Sequence, residues 1–363
     1  METKRLYYLD NLRWMSVLLV IVYHIIYLFN NSGVISNIGY KGIPALDGFL
    51  VFVYPWFMCL LFVIAGIAAR YSLNKRTNKE FIKDRAKRIL LPTVLGMFIY
   101  GWFTGYITSL YTTFFYNEGA NLPKIIKYFI FCAMGIGPLW FGHVVFFGAL
   151  IIVLFRVIDK NKKLESLFER INLTVIVLLV IAVWLSSFLF VVPVMSVYRL
   201  GIYILMMLLG YYVFSQERVI KMLSEISGYM LFFAAVLGVL YVIKYYGVNY
   251  TANSVLRNIF TNVYLWVMIL ALLGFGAKHL DFNNKFTEYM TENSFNYYIL
   301  HYPLLVCLSH YLITYIRLPF GAYYIILAVS LAVLLPVLTE IVKRLPVLRF
   351  FILGFKNTRP SGI

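Results

Sequence analysis

Ten long apolar stretches run through this chain, and they decide which folds are open to it. Each is about 20 residues long, enough to cross the hydrocarbon core of a bilayer as an α-helix. Hydrophobic residues make up 62% of the 363 residues and charged residues only 13%, which is too apolar for a soluble domain of this size. The pattern predicts an all-α, polytopic membrane protein with about ten transmembrane helices. The predicted spans lie near residues 12–30, 48–70, 89–110, 138–156, 172–192, 198–215, 228–246, 256–277, 295–316 and 320–342.

These spans fill one transmembrane domain, predicted over residues 1–346, which is followed by a short basic tail at residues 347–363. Of the 32 lysine and arginine residues, 25 lie at the amino terminus, in the loops after even-numbered spans, or in the tail. Because basic loops stay on the cytoplasmic side, both termini and the tail are predicted to be cytoplasmic. The net charge of +17 therefore reflects topology, so contacts with membrane lipids are expected and a nucleic-acid partner is not. Arg199 is expected at an outer edge, where long cationic side chains reach headgroups.

The first apolar stretch carries one histidine deep inside it. His24 follows Arg13 by eleven residues, which in an α-helix places both side chains on one face, about 16 Å apart. Tyr27 shares this face. Ionisable side chains inside a membrane span are costly to bury, so they indicate a functional site. His24 and Arg13 are therefore the first candidates for catalytic residues.

Four short motifs, taken in order along the chain, resemble those of one family. They are Tyr-Leu-Asp-Asn-Leu-Arg at residues 8–13 followed by His24, Arg85-Ala-Lys-Arg88 before Ile-Leu-Leu-Pro, Gly-Pro-Leu-Trp-Phe at residues 137–141, and Tyr-Ile-Leu-His-Tyr-Pro at residues 298–303. The series resembles the acyltransferase 3 family of integral-membrane O-acyltransferases, which includes glucan-modifying members. The resemblance implies transfer of an acyl group from coenzyme A to an extracytoplasmic carbohydrate.

The resemblance also implies that Arg85 and Arg88 bind the acyl-CoA donor. Coenzyme A carries several phosphates, and two arginines spaced by three share one helical face and can clamp phosphate together. Arg13, at the cytoplasmic end of the first span, would add to this site. The alternative for the arginine-rich segment is a topological loop that binds anionic lipid headgroups. His301 either helps to hold the donor or forms a hydrogen bond to a neighbouring helix.

Candidate residues for the acceptor lie toward the predicted outer side. Trp140 opens the fourth span, and His143 follows one turn later, where it either lines the acceptor cleft or caps the span. Tyr27 lies on the His24 face of the first helix. Asp47 is one of only two acids assigned to the outer side. We predict that these four residues contact the carbohydrate.

Acyl transfer from a thioester to a sugar hydroxyl needs a base, because the thiolate leaves easily whereas the alcohol must first lose its proton. A neutral imidazole supplies such a base near pH 7. His24 is therefore predicted to be the general base, with an acyl-histidine intermediate left open as the alternative. Acetyl-CoA or succinyl-CoA is the expected donor. The three cysteines form no C-x-x-C or Cys/His pattern, so no metal is expected.

Two other functions fit parts of the sequence. A cation-coupled transporter would also place a histidine and an arginine in one span, although the two halves of the chain show no repeat of broken helices. A lipid-linked glycosyltransferase would use an acid in the first outer loop, where Asp47 lies. ATP-driven transport is not expected, because no G-x-x-x-x-G-K-[ST] motif is present. The predicted location is the cell membrane, and the sequence leaves a homo-oligomer open.

Overall fold

The computed structural model describes residues 5–190 and 198–353, and in these ranges the chain forms helices and no β-strand. The structure is 79% helical, so the predicted all-α class is confirmed. The α-helices are α1 Tyr7–Tyr27, α2 Asp47–Val53, α3 Phe57–Leu73, α4 Asn78–Arg85, α5 Leu91–Gly96, α6 Trp102–Ser109, α7 Lys124–Met134, α8 Trp140–Ile158, α9 Lys163–Glu169, α10 Leu173–Ser186, α11 Leu200–Leu209, α12 Glu217–Glu225, α13 Ser227–Tyr245, α14 Asn253–Leu256, α15 Ile259–His279, α16 Lys285–Tyr315, α17 Phe320–Arg344 and α18 Pro346–Leu353.

Short segments of other helical geometry extend several of these helices. The 3₁₀ segments are Pro44–Leu46, Phe114–Tyr116 and Gly137–Leu139, and the π-helical segments are Ala86–Leu90, Met97–Gly101 and Gly210–Phe214. Ala86–Leu90 joins α4 to α5, and Met97–Gly101 joins α5 to α6. As a result, Asn78–Ser109 runs as one helical segment of 32 residues.

Among the described residues, seven helical segments are long and apolar enough to cross a membrane. An eighth is added if the bent pair Leu200–Phe214 and Glu217–Glu225, which meet at 93°, is one span. These segments confirm a polytopic membrane protein. All ten predicted spans fall on helices, but two of these helices are not long and apolar enough to count as membrane-spanning. α10 has only 14 residues, and α16 carries many polar side chains.

The predicted tail begins as a helix. Its residues 347–353 belong to α18, which packs against α5 and α17. The rest of the tail, residues 354–363, lies outside the described residues, as do residues 1–4 and the end of the predicted fifth span at residues 191–192.

The first helix, α1, lies inside the bundle. It packs against α2, α3, α15, α16 and α17, so it contacts elements from both ends of the sequence. Pro44–Leu73 and α15 are also mostly buried. By contrast, only about a third of α8 and less than a third of α13 and α17 are buried inside the bundle, as is typical of lipid-facing helices. Side chains on the inner faces of α1 are therefore surrounded by protein.

Glycine allows α3 to approach the α11 segment closely. A Cβ atom on Gly66 would lie 2.1 Å from the carbonyl oxygen of Met207, and one on Gly210 would lie 2.2 Å from the carbonyl oxygen of Val63. Both obstructing atoms are backbone atoms, which cannot move aside without shifting a helix. The small residues of the second span thus serve helix packing.

We expect Gly66→Ala to destabilise the protein by about 1–3 kcal/mol, because its methyl group overlaps the opposing backbone. Gly228→Ala is the matched control, since nothing lies within 4 Å of a Cβ atom at that helical position. Thermal unfolding of the two variants in the same detergent makes the comparison. Equal unfolding temperatures for Gly66→Ala and wild type would contradict this account of the helix contact.

Two π-helical turns lie on either side of Pro92 at the start of the third span. The first is Ala86–Leu90 and the second is Met97–Gly101. Proline has no backbone N–H to donate, and a π turn closes its hydrogen bonds one residue further along the chain than an α turn does. Arg88 lies inside the first π turn, whereas Arg85 ends α4. The two arginines therefore do not share the regular α-helical register that their spacing predicted.

The same segment offers a test of the predicted topology. Lys79 and Asn117 lie near opposite ends of Asn78–Ser109. We expect a reporter fused after Lys79 to be cytoplasmic and one fused after Asn117 to be outside, because basic residues cluster around the first site alone. Paired fusions to alkaline phosphatase and to a fluorescent protein measure this. Phosphatase activity at Lys79, or its absence at Asn117, would reverse the assignment of donor and acceptor sides.

Candidate active site

His24 lies in the second half of α1, among aromatic rings from two helices. Its ring centroid is 4.9 Å from that of Tyr302 and 5.2 Å from that of His301, both on α16. Tyr23 and Tyr27 on α1 itself are 5.4 and 6.0 Å away and meet the imidazole edge-on. The predicted base is thus half-buried at the contact between the first and ninth predicted spans.

A direct contact joins the two histidines of this site. The Nε2 atom of His301 lies 3.2 Å from Nδ1 of His24, across 277 residues of sequence. The other ring nitrogen of His301, Nδ1, lies 2.8 Å from the carbonyl oxygen of Tyr298 and 3.1 Å from that of Tyr297. His301 is fully buried. Of the two roles left open for His301, the structure shows the hydrogen bond to a neighbouring helix, and donor binding by His301 stays a prediction.

Tyr302 is a site residue that the sequence did not single out. Its ring packs edge-on against His24, and its hydroxyl donates a hydrogen bond to Oδ1 of Asn37 in the loop that follows α1. The amide of Asn37 in turn donates to Oγ1 of Thr108 at 2.7 Å. The position of Tyr302 next to His301 was a usable signal for it. Nothing in the sequence marked Asn37.

Tyr27 and Asp47 organise the loop that follows α1. The hydroxyl of Tyr27 donates to the carbonyl oxygen of Ile35 at 2.5 Å. Oδ2 of Asp47 accepts from the backbone N–H of Asn31 at 2.9 Å and from the hydroxyl of Ser32 at 2.8 Å. Asp47 is 3% exposed, and its Oδ1 atom has no hydrogen-bond partner in the described part of the chain. Both predicted substrate residues therefore hold the loop, and one carboxylate oxygen remains available.

Trp140 and His143 both face Tyr198. Trp140 is buried, and its ring lies 6.1 Å from that of Tyr198 and 5.2 Å from that of Tyr203. Nδ1 of His143 is 3.1 Å from the Tyr198 hydroxyl, while its Nε2 is buried without a hydrogen-bond partner within residues 5–190 and 198–353. His143 thus has a ring nitrogen available for another polar group. Contact of either residue with the acceptor stays a prediction.

At the amino-terminal end of α1, one aspartate pairs with two arginines. Oδ1 of Asp10 accepts from Arg13 at 2.8 Å, and Oδ2 accepts from Arg5 at 2.9 Å. The Arg13 side chain is 25% exposed, so its guanidinium reaches the edge of the bundle. One negative charge compensates two positive charges here.

In a second group of arginines, at residues 76–88, one aspartate again pairs with two arginines. Asp84 pairs with Arg88 at 2.8 Å and with Arg76 at 3.1 Å. Arg85 instead lies over the ring of Phe81, 5.1 Å from its centroid, and forms no ion pair with any acid among the described residues. Arg85 lies within electrostatic range of Arg13, which brings the two groups together at one end of the bundle. Five arginines and two aspartates leave this end strongly positive.

A comparison with known families identifies the chain. A family model described as an acyltransferase domain matches residues 6–339, nearly the whole chain. The chain belongs to the acyltransferase 3 family. No curated protein and no solved structure matches it. The protein is therefore a multi-pass membrane acyltransferase, as its motifs predicted.

In this acyltransferase, the four motifs contact one another in space. The first and the last meet at His24 and His301. The last and the third meet where the Tyr298 hydroxyl donates to the carbonyl oxygen of Pro138 at 2.6 Å. The second motif meets the helix of the third, because Ala86–Leu90 packs against α8, which begins at Trp140. Motifs that lie far apart in sequence thus build one continuous assembly.

The acyltransferase also buries a cation that was expected at its surface. Arg199 is 5% exposed, and its guanidinium donates to the carbonyl oxygen of Leu256 at 3.4 Å. The prediction that Arg199 reaches outward to headgroups is therefore wrong. Its side chain turns inward because the carbonyl at the end of α14 supplies an acceptor inside the protein.

Proposed function

We propose that this acyltransferase moves an acyl group, acetyl or succinyl, from acyl-CoA to a hydroxyl of an extracytoplasmic carbohydrate or cell-envelope glycan, with His24 as the general base. One observation carries the proposal: α1 holds an imidazole inside the bundle and reaches a cluster of five arginines at its amino-terminal end. A helix rises 1.5 Å per residue, so Arg13 and His24 are about 16 Å apart along its axis. Coenzyme A has the matching shape, with phosphates at one end and a thioester on a long arm.

The excess of positive charge supports the donor end of this proposal. Guanidinium groups form short, charge-assisted hydrogen bonds to phosphate oxygens, often two at a time. Arg85 forms no direct ion pair among the described residues, so phosphate would compete only with the longer-range attraction of Asp84. Arg13 and Arg88 each pair with an aspartate, and each of these aspartates also pairs with a second arginine. We therefore assign Arg85 the largest part in donor binding.

The proposed reaction is a direct transfer. Nε2 of His24 takes the proton of the acceptor hydroxyl while the oxygen attacks the thioester carbonyl, forming a C–O bond. Collapse of the tetrahedral intermediate breaks the C–S bond, and the thiolate takes the proton back from His24. Base catalysis contributes typically 100- to 10,000-fold in rate. An acyl-histidine intermediate is the second route, in which Nε2 attacks the thioester first.

The acceptor is proposed to approach from the end opposite the arginines. Two buried atoms lack partners in the described part of the chain, namely Oδ1 of Asp47, beyond the carboxyl-terminal end of α1, and Nε2 of His143, deeper in the bundle beside Thr93. Hydroxyl groups of a sugar would satisfy both of them. Tyr27 and Trp140 would add aromatic surface. A glycan of the envelope as acceptor also places the protein in the cell membrane.

Reconstituted protein tests this function directly. The protein in lipid vesicles is supplied with isotope-labelled acetyl-CoA or succinyl-CoA and with envelope glycan fractions, and mass spectrometry of the glycans is expected to show the labelled acyl increment. Glycans from cells without the protein should lack the same increment. Cation accumulation in the vesicles without acyl transfer would favour the transporter instead. Sugar transfer from a lipid carrier that depends on Asp47 would favour the glycosyltransferase.

A further inference from the structure

The hydrogen bonds around His301 determine where its protons lie. Backbone carbonyl oxygens only accept hydrogen bonds, so the Nδ1 atom of His301, 2.8 Å from the Tyr298 carbonyl, must carry a hydrogen. In a neutral imidazole the other nitrogen is then an acceptor. No described carboxylate contacts either histidine, so nothing would balance a second proton on His301. The Nε2 atom of His301 therefore presents a lone pair to His24.

The same reasoning carries through to His24. Its Nδ1 lies 3.2 Å from Nε2 of His301, and this hydrogen bond forms only if Nδ1 of His24 carries the hydrogen. The backbone of Val20, one turn earlier in α1, also interacts with this ring. A neutral His24 then has its lone pair on Nε2. The chain of donors runs from His24 through His301 to the Tyr298 carbonyl, and it leaves one unprotonated nitrogen at its free end.

We propose that His301 is a positioning residue that holds His24 in the Nδ1–H tautomer and so makes Nε2 the basic atom. This inference rests on the proposed role of His24. His301 also supports the step itself, because proton transfer from the acceptor hydroxyl to Nε2 makes His24 a cation. The Nδ1–H bond to His301 is then charge-assisted and stronger. When the thiolate takes the proton from Nε2, the original tautomer remains.

Two substitutions of His301 separate positioning from packing. In His301→Gln the side-chain oxygen can take the place of Nε2 and accept from His24. In His301→Asn the shorter side chain can still reach the Tyr298 carbonyl but ends before His24. We expect His301→Asn to lower kcat on the order of 100-fold with the KM for acyl-CoA unchanged, as small misplacements of reacting groups do. The kcat of His301→Gln should be within roughly tenfold of the wild-type value.

The control for these variants is His279→Gln, a histidine exposed at the end of α15, which should behave as wild type. Equal losses in His301→Gln and His301→Asn, or a higher KM in both without a change in kcat, would overturn the proposal. So would better recovery in His301→Asn, because the bond to Tyr298 would then be the one that matters.

A spectroscopic measurement is independent of activity. Solid-state ¹⁵N NMR of histidine-labelled protein in lipid reports which nitrogen of His24 carries hydrogen, and the His24 signals are assigned by their loss in His24→Gln. We expect a protonated Nδ1 and an unprotonated Nε2 in wild type, and a weaker preference in His301→Asn, where the Val20 backbone alone remains beside the His24 ring. The opposite tautomer in wild type would overturn the inference even if acyl transfer is active. Absence of acyl transfer with every donor, together with the expected tautomer, would instead overturn the proposed function.

Discussion

His24→Gln protein is expected to lose acyl transfer by about 100- to 10,000-fold, the range over which removal of a general base acts. Glutamine keeps a polar group at this position and can still form a hydrogen bond to His301, so the bundle contact between α1 and α16 should survive. Its amide cannot take a proton from the acceptor hydroxyl. Turnover by purified protein in lipid, with labelled acyl-CoA and acceptor at saturating concentrations, measures the loss.

The control variant is again His279→Gln, and unfolding temperature confirms that both proteins are folded. Coenzyme A binding should be unchanged in His24→Gln, because the phosphates are proposed to lie a helix length away. Activity of His24→Gln within about tenfold of wild type would refute His24 as the base. Cation-coupled transport would then become the better explanation for an imidazole inside the bundle.

The second large effect is expected at the arginine cluster. Arg85→Ala should weaken acyl-CoA binding by about 1.5–3 kcal/mol, or roughly 10- to 150-fold, because bonds between charged groups and phosphate are lost. Added salt should weaken wild-type binding, since the cluster lies at the edge of the bundle. Arg88→Ala should have the smaller effect, because Asp84 already occupies this guanidinium. Titration with coenzyme A in detergent gives both values.

Arg85→Lys shows whether shape or charge matters. Lysine keeps the positive charge but cannot form the paired hydrogen bonds of a guanidinium. We therefore expect Arg85→Lys to bind coenzyme A with an affinity between that of Arg85→Ala and that of wild type. Lys221→Ala, an exposed cation on α12, controls for the general charge of the protein. If Arg85→Ala, correctly inserted, binds coenzyme A like wild type, the arginine segment serves topology and lipid contact alone.

Much of the fold could be predicted from the sequence, because its main determinant is local. About 20 apolar residues in succession must form a helix in lipid, so all ten predicted spans fall on helices. The exceptions have physical causes. α10 is shorter than a bilayer is thick, and α16 carries the polar side chains that the site uses. Hydropathy alone therefore describes least well the helix that provides His301.

The site could be predicted only in part. His24 stood out because an imidazole in an apolar stretch is costly, and Arg85 because its motif is recognisable. The contact of His24 with His301 could not be predicted, since spacing along one helix gives no information about a partner 277 residues away. The pairing of Arg88 with Asp84 was within reach of the sequence, since an acid and a cation four residues apart are neighbours on an α-helix. The π turn that separates the geometry of Arg88 from that of Arg85 was not, because no residue pattern marked it.

The distance in sequence between His24 and His301 has a consequence for how the protein is made. Membrane proteins are synthesised from the amino terminus, and their domains generally fold in that order. α1 enters the membrane early, but α16 is complete only after residue 315, close to the carboxyl end of the chain. A growing or prematurely ended chain that stops before α16 therefore contains His24 without its partner. On the proposed roles, such fragments would bind lipid and even coenzyme A yet remain inactive, so catalytic competence is acquired only once α16 has been synthesised.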